Sequence, residues 1–431
     1  MSDVLPIIPF AGPLNATVSL PGSKSITNRA LLAAALADGT SVLEGALLAD
    51  DTEAMIGCVE ALGAKIAVAE DRTTFTVTGI AGDLSNAQGR FFARQSGTTA
   101  RFIAAVLALG DFPMELDADE AMRRRPMDAA LGALDTLGVS VVRSGEAGSL
   151  PVSIRGPVPD RGEMPMVSID GSVSSQFTSG LLLAAACMPR GLRVELHGEI
   201  VSRPYLEMTI AVMATFGARV DTPDDRTFVI HPDGYRACGF RIEPDASAAS
   251  YFFAAAAICG GTVRIEGLGA ASLQGDVRFV DVLAEMGADV VIEDESITVT
   301  GGSLRGVTAD FSQISDTAQT IAAVAVFADA PSTITGIDFI RRKETDRIAA
   351  VVTELRRLGV QATEDGDGFT VVPGPISPAV VQTYDDHRMA MSMALIGYAR
   401  PGVSIADPDC VRKTFPAYFD TMEELRPGGA L

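Results

Sequence analysis

Lysine is scarce in this chain. Four of its 431 residues are Lys (24, 65, 343 and 413), and the other 30 basic residues are Arg. A chain that writes Arg wherever a generic surface cation would do marks each retained Lys as a candidate for a compact ammonium role that a guanidinium cannot fill. Positive charge is short overall, with 34 basic against 55 acidic residues and a net charge of -21. That deficit excludes non-specific binding to nucleic acid or to anionic membranes, both of which need a basic surface. The five cysteines (58, 187, 238, 259, 410) are odd in number and unpaired in spacing, and there are only three His. A disulfide framework and a Cys/His metal site are therefore not expected. No apolar run reaches the roughly 18 residues of a membrane span, and Met1-Ser2-Asp3 lacks a basic leader, so a soluble protein of the reducing cytoplasm is expected.

What is present is repetition. The phrases ALGAKI (61–66), TLGVSV (136–141), TFGARV (215–220), EMGADV (285–290) and RLGVQA (357–362) place glycines at 63, 138, 217, 287 and 359. Each reads as a helix ending at a left-handed Gly and followed by a strand. In phase with them, Ala/Leu-rich helices open near Ser25, Ser96, Ser175, Ser247, Asp316 and Asp386, residue types that cap helices well. The pattern is six copies of about 70 residues, each with several strands and two helices. The sixth copy lacks its closing strands, and the strand-like residues 5–20 belong to no other copy. The expectation is that the N-terminus supplies those strands. Residues 1–20 plus 244–431 then form one domain and 21–243 the other, with crossings near Pro21 and Pro244 as the hinge. The first helices are apolar nearly all round, as in YFFAAAAIC, which predicts burial. Their convergent N-termini would suit anions.

Polar residues cluster at these helix starts. LPGSKSITNRA (20–30) sets Lys24, Ser25 and Arg29 at a Gly-containing turn and the helix after it, a combination suited to phosphate. QSGTTAR (95–101) and SVSSQF (172–177) offer small side chains that let a ligand approach the backbone, although plain caps are the simpler account. RRRPM (123–127) is expected to be extended ahead of Pro126. VSRPY (201–205) adds Ser202, Arg203 and Tyr205. ISDTAQT (314–320) puts Asp316 at a helix start. RRKETDR (341–347), taken as helix, sets Lys343 and Arg347 on one face with Glu344 beside Arg347. YDDHRMA (384–390) supplies His387 and Arg388, and DPDCVRKTFPAY (407–418) supplies Lys413.

LPGSKSITNRA, RRKETDR, DDHRMAM and DPDCVRKTFP together resemble the 5-enolpyruvylshikimate-3-phosphate synthase family along the whole chain. The resemblance implies an α/β fold of two inside-out barrels, three βαβαββ-type repeats each. It implies transfer of the enolpyruvyl group of phosphoenolpyruvate to the 5-hydroxyl of shikimate 3-phosphate through a tetrahedral ketal. It further implies that phosphate is released without a metal or cofactor, and the expectation is a monomer whose domains close when shikimate 3-phosphate binds. Carried over by motif, Lys24, Ser25, Arg29, Ser174, Ser175, Gln176, Ser202, Tyr205, Asp316 and Lys343 are the shikimate 3-phosphate set. Lys24, Gly97, Thr98, Arg125, Gln176, Arg347, Arg388 and Lys413 are the phosphoenolpyruvate set. Asp316 is the base for the hydroxyl and Glu344 the proton donor to the methylene, with Lys24 assisting.

Two departures from the family stand out. Arg94-Gln95-Ser96-Gly97-Thr98 replaces an Asn-Ala-Gly-Thr-type phrase, which with Phe102 leaves sensitivity to glyphosate, a competitor at the phosphoenolpyruvate site, open. Phe339 stands where a polar Asn or His is usual on the shikimate side. The alternatives are a paralogous enolpyruvyl transferase with another acceptor, such as UDP-N-acetylglucosamine, and a non-catalytic anion-binding paralogue. The sugar-nucleotide enzyme typically carries a Cys on a first-domain loop, and this chain has none between Cys58 and Cys187. Lys24, Asp316 and Glu344 are all retained, against the non-catalytic reading.

Overall fold

A computed structural model describes residues 4–145 and 148–426. It divides into two compact units, Met1–Pro21 with Pro244–Leu431, and Gly22–Glu243. They are called here the terminal unit and the middle unit.

In the middle unit three four-stranded sheets repeat one plan. In the second, Arg90–Phe92 runs parallel to Met114–Asp117, which pairs antiparallel with Val152–Arg155, which pairs antiparallel with Ser140–Arg143. The third follows the same order with Met166–Asp170, Leu192–His197, Thr227–Ile230 and Val220–Asp224. In the first sheet the opening place has no strand upstream of it within the unit, because Gly22 leads directly into the helix Lys24–Leu36. Gly239–Arg241, from the far end of the unit, takes that place parallel to Thr40–Glu44 and closes the circle.

The terminal unit repeats the plan and meets the same problem. Pro244 leads straight into the helix Ala246–Cys259. Leu14–Val18 fills the opening place beside Gly261–Glu266. This corrects the expectation that the whole N-terminus completes the sixth copy. Only Val4–Pro6 does so, antiparallel to Val403–Ala406 in a three-stranded sheet with Ala379–Val381.

The sheets are outside and the helices inside. Strands alternate, as in Thr40–Glu44 and Phe75–Thr78, with every second residue buried. That is the pattern of a sheet with one face in water. The helix Ala246–Cys259 is buried without a break from Ala246 to Ala257, as its all-round apolar composition predicts. Such helices pack closely where small residues allow it. A Cβ at Gly180, on the helix Ser175–Ala185, would stand 2.7 Å from the carbonyl oxygen of Arg101 on the helix Gly97–Leu107. The five hairpin glycines 63, 138, 217, 287 and 359 all have positive φ, between 80° and 111°. No helix among the described residues is long and apolar enough to cross a membrane.

Two motifs fold differently from the sequence reading. RRRPM is not extended: the helix Glu120–Arg123 runs into it and Arg124 keeps helical angles, with Arg123 held to Asp117 at 2.6 Å. RRKETDR is not one helix. A 3-10 segment Asp338–Arg342 ends there, and the helix Arg347–Arg357 begins anew with the Asp346 carboxylate accepting from Ala349 N at 3.0 Å. The cap competes with helix continuation and wins.

Candidate active site

The buried helices start with capping side chains. Ser23 Oγ accepts from Ile26 N, Ser96 Oγ from Thr99 N, Ser174 Oγ from Gln176 N, and Asp245 Oδ1 from Ala248 N. The caps therefore lie one or two residues before Ser25, Ser175 and Ser247. Asp316 lies in a 3-10 turn, Ser315–Thr317, ahead of the helix Ala318–Ala325, and is not its cap. One turn inward, polar side chains join neighbouring helices. Ser250 Oγ lies 3.1 Å from Thr320 Oγ1, which lies 3.3 Å from Ser392 Oγ. In the middle unit Arg29 Nη2 donates to Ser179 Oγ at 3.3 Å. Bonds between equivalent turns set the helix starts of each unit at one end.

In the middle unit Lys24 Nζ lies 3.2 Å from Asp51 Oδ2. Arg29 is 1% exposed and bonds Thr209 Oγ1 at 2.7 Å and the carbonyls of Ser25 and Tyr205, beneath the Phe102 ring at 5.2 Å. Its bonds among the described residues go to hydroxyls and carbonyls, none to a carboxylate. Burial lowers its pKa to about 10, so it still carries charge at neutral pH. A buried cation satisfied by dipoles alone is suited to an incoming anion.

Gly97 and Arg125 are fitted to each other. A Cβ at residue 97 would stand 2.9 Å from both Arg125 terminal nitrogens, so any larger residue there displaces the guanidinium. Gln176 Nε2 donates to Thr98 Oγ1 at 3.3 Å, and its Oε1 accepts from Arg101. Ser174 and Ser175 are buried at the start of the same helix. Ser202 holds a left-handed φ of 54° just before the helix Arg203–Thr215, which carries Tyr205 in its first turn.

In the terminal unit Arg347 organises the remaining residues. Its Nη1 lies 3.3 Å from Asp316 Oδ1, its Nη2 2.8 Å from Glu344 Oε2, and its Nε 2.8 Å from Asp386 Oδ2. Burial disfavours this cation, but Asp386, Glu344 and Asp316 more than compensate and raise its pKa. Arg388 Nη2 donates to Asp316 Oδ2 at 2.7 Å, and Lys413 Nζ lies 3.3 Å from Glu344 Oε1. Three cations thus meet three carboxylates. The cations are at most 8% exposed, while Asp316 keeps 19% and Glu344 12%. The two proposed acid–base groups are the more open members of the cluster. Lys343 sits with its ammonium 6.0 Å from the centre of the Phe339 ring, which is itself buried.

The structure adds residues that sequence reasoning passed over. Asp51, Arg101 and Asp386 bind proposed ligand residues directly. Arg101 and Asp386 lie inside the motifs singled out, but caps and helix-interior arginines carry no signal of their own. Asp276 is 3% exposed, accepts from Ser247 Oγ, and is pushed up to about 7 by burial and by the nearby Asp316 charge. Only its long-range partners reveal it.

This architecture is shared with solved enolpyruvyl transferases. The structure of EPSP synthase from Acinetobacter baumannii superposes with a TM-score of 0.83 over 98% of both chains at 24% identity. The enolpyruvyl transferase NikO from Streptomyces tendae superposes at 0.78 over 99% of this chain and 98% of that one at 18% identity. At such identities the likeness establishes the fold alone. Sequence goes further: the EPSP synthase (3-phosphoshikimate 1-carboxyvinyltransferase) family profile matches residues 10–422. The 3-phosphoshikimate 1-carboxyvinyltransferase of Nostoc punctiforme is 44% identical over 97% of this chain and 98% of its own. That of Serratia proteamaculans is 42% identical over 99% of both. The chain belongs to the EPSP synthase family.

Proposed function

We propose that this protein transfers the enolpyruvyl group of phosphoenolpyruvate to the 5-hydroxyl of shikimate 3-phosphate. The observation that carries the reading is that Asp316 and Glu344 both bind the one guanidinium of Arg347, at 3.3 and 2.8 Å, and both keep some exposure. The reaction needs a base and an acid held at fixed separation, and a shared rigid cation provides that.

In this reading Asp316 takes the proton of the 5-hydroxyl as its oxygen attacks C2 of phosphoenolpyruvate. Glu344 delivers a proton to the C3 methylene, with Lys24 assisting, and a tetrahedral ketal forms. Loss of a proton from C3 and departure of phosphate from C2 then complete the transfer. Arg125, Arg347, Arg388 and Lys413, with Gly97, Thr98 and Gln176, hold the phosphate and carboxylate of phosphoenolpyruvate. Ser174, Ser175, Gln176, Ser202, Tyr205, Lys343 and Arg29, with Lys24 and Ser25, hold shikimate 3-phosphate. Fixed cations stabilise charge as it builds on the phosphate. Ligand anions that draw on Arg347 and Lys413 compete with Glu344 for them, which favours a protonated Glu344.

The two compact units are taken as the domains of this enzyme, and the protein as a cytoplasmic monomer. The test is phosphate release from phosphoenolpyruvate in the presence of shikimate 3-phosphate, run beside UDP-N-acetylglucosamine. Release with the first acceptor alone is expected. Release with the second alone, or with neither, overturns the reading.

A further inference from the structure

The segment from Gln382 to Arg388 joins the strand Ala379–Val381 to the helix His387–Ala399. It carries two proposed or observed site members, Arg388 and Asp386, and its backbone is unusual. Tyr384 and Asp385 are consecutive non-glycine residues in the left-handed region, with φ of 57° and 56°. For a bulky residue such as Tyr this conformation is a real outlier, and it persists only where surrounding contacts enforce it.

The helix Arg347–Arg357 supplies contacts at both ends of the segment, and the Cys410 side chain bonds Thr383 between them. At the first residue of the helix, Arg347 binds Asp386. Seven residues on, and so on the same face, Glu354 reaches the segment's other end. Glu354 is fully buried. Its Oε1 accepts from the Tyr384 hydroxyl at 2.6 Å and its Oε2 from the Gln382 backbone N–H at 2.9 Å, with Arg357 Nε also at 2.9 Å. A buried carboxylate is retained only with such partners. Here two of the three belong to the strained turn. The helix therefore grips the segment at both ends, and the left-handed pair lies between the grips.

We propose that Glu354 and Tyr384 are positioning residues for phosphoenolpyruvate recognition: they hold the strained turn that aims Arg388 and Asp386. Neither touches ligand. The inference rests on the assignment of Arg388 to phosphoenolpyruvate, and its test separates the two. Tyr384 is 41% exposed, so its ring lies outside the core, and Tyr384→Phe takes away only the hydroxyl that bonds Glu354.

The experiment compares the wild type with Tyr384→Phe and Glu354→Gln in the full chain. Steady-state constants are measured for both substrates, and hydrogen exchange for the amides of residues 383–388. For Tyr384→Phe the expected result is a rise in the phosphoenolpyruvate KM of about threefold to tenfold, with the shikimate 3-phosphate KM unchanged and faster exchange confined to the segment. Glu354→Gln gives the same pattern, more strongly. Unchanged exchange and unchanged KM in Tyr384→Phe overturns the proposal. An equal rise in both KM values with exchange faster throughout the terminal unit also overturns it, since that is a general loss of stability. If the wild type shows no turnover, the functional reading has failed, and the exchange data alone still decide whether the turn is held as described.

Discussion

Arg347 Nε lies 2.8 Å from Asp386 Oδ2, with Arg347 2% exposed and Asp386 fully buried. The same carboxylate accepts from Arg388 N at 2.9 Å, so one side chain pairs a buried cation and caps a helix. Removing it leaves Arg347 with Glu344 and Asp316, both more exposed. Asp386→Ala is expected to lower stability by about 3 kcal/mol, near the lower end for breaking a buried pair. Asp386→Asn keeps an acceptor for the cap and should recover ~1 kcal/mol of that loss. Urea unfolding midpoints at pH 7 measure both. Equal losses would mean that the cap contributes nothing.

Glu344 is the proposed proton donor to the methylene carbon. Glu344→Gln keeps the size of the side chain and an oxygen for Arg347, but cannot deliver the proton. General acid catalysis contributes ~10²–10⁴-fold, so kcat is expected to fall within that range. Shikimate 3-phosphate affinity, measured calorimetrically, should stay within about threefold, because no contact to that ligand is assigned to Glu344. A small fall in kcat would pass the acid role to another group.

The repeats were legible because they rest on local rules. The five left-handed glycines, the all-apolar helices and the alternating strands each follow from a period of 3.6 or 2 residues or from a single φ requirement. The strand exchange was not legible in full. Whether Leu14–Val18 joins the fourth or the sixth sheet depends on which sheet lacks an upstream strand, a property of ring closure. The candidate site was legible only as motifs and as types of side chain. What stayed hidden were the partners of those side chains: Asp51 for Lys24, Arg101 for Gln176, Asp386 for Arg347. A buried Asp at a helix cap looks the same in sequence whether or not it also neutralises a guanidinium.

Asp276 gives stability an unusual pH dependence. Its carboxyl is pushed up to about 7, first by burial and then by Asp316, with Ser247 and Arg388 pulling the other way and Asp245 adding to the rise. Its unfolded value is near 3.9. Between those values the folded protein holds a proton that the unfolded chain releases, so this group's contribution is full below about pH 4 and is lost as pH rises through 7. Asp276→Asn removes that slope. The variant should gain stability relative to the wild type between pH 4 and 7 and hold that gain at pH 8, with Ser247 still able to donate to the amide oxygen. Thermal melts across that range, each in matched ionic strength, measure it. Parallel curves for the two proteins would show that Asp276 is ionised throughout.

Lys413 tests the lysine argument directly. Its side chain is 8% exposed and its ammonium lies 3.3 Å from Glu344 Oε1, at the end of the 3-10 segment Pro408–Lys413. A guanidinium has the same charge but is larger, planar and less able to act as a point cation on a phosphate oxygen. Fitting it into a closed site costs about 1–3 kcal/mol of strain. Lys413→Arg is therefore expected to lower kcat/KM for phosphoenolpyruvate by about tenfold or more, since each tenfold is about 1.4 kcal/mol. Lys65, on the exposed strand Lys65–Val68, is the control, and Lys65→Arg should change nothing. Full activity in Lys413→Arg would mean that any cation serves at this position. The scarcity of lysine would then carry no information about the site.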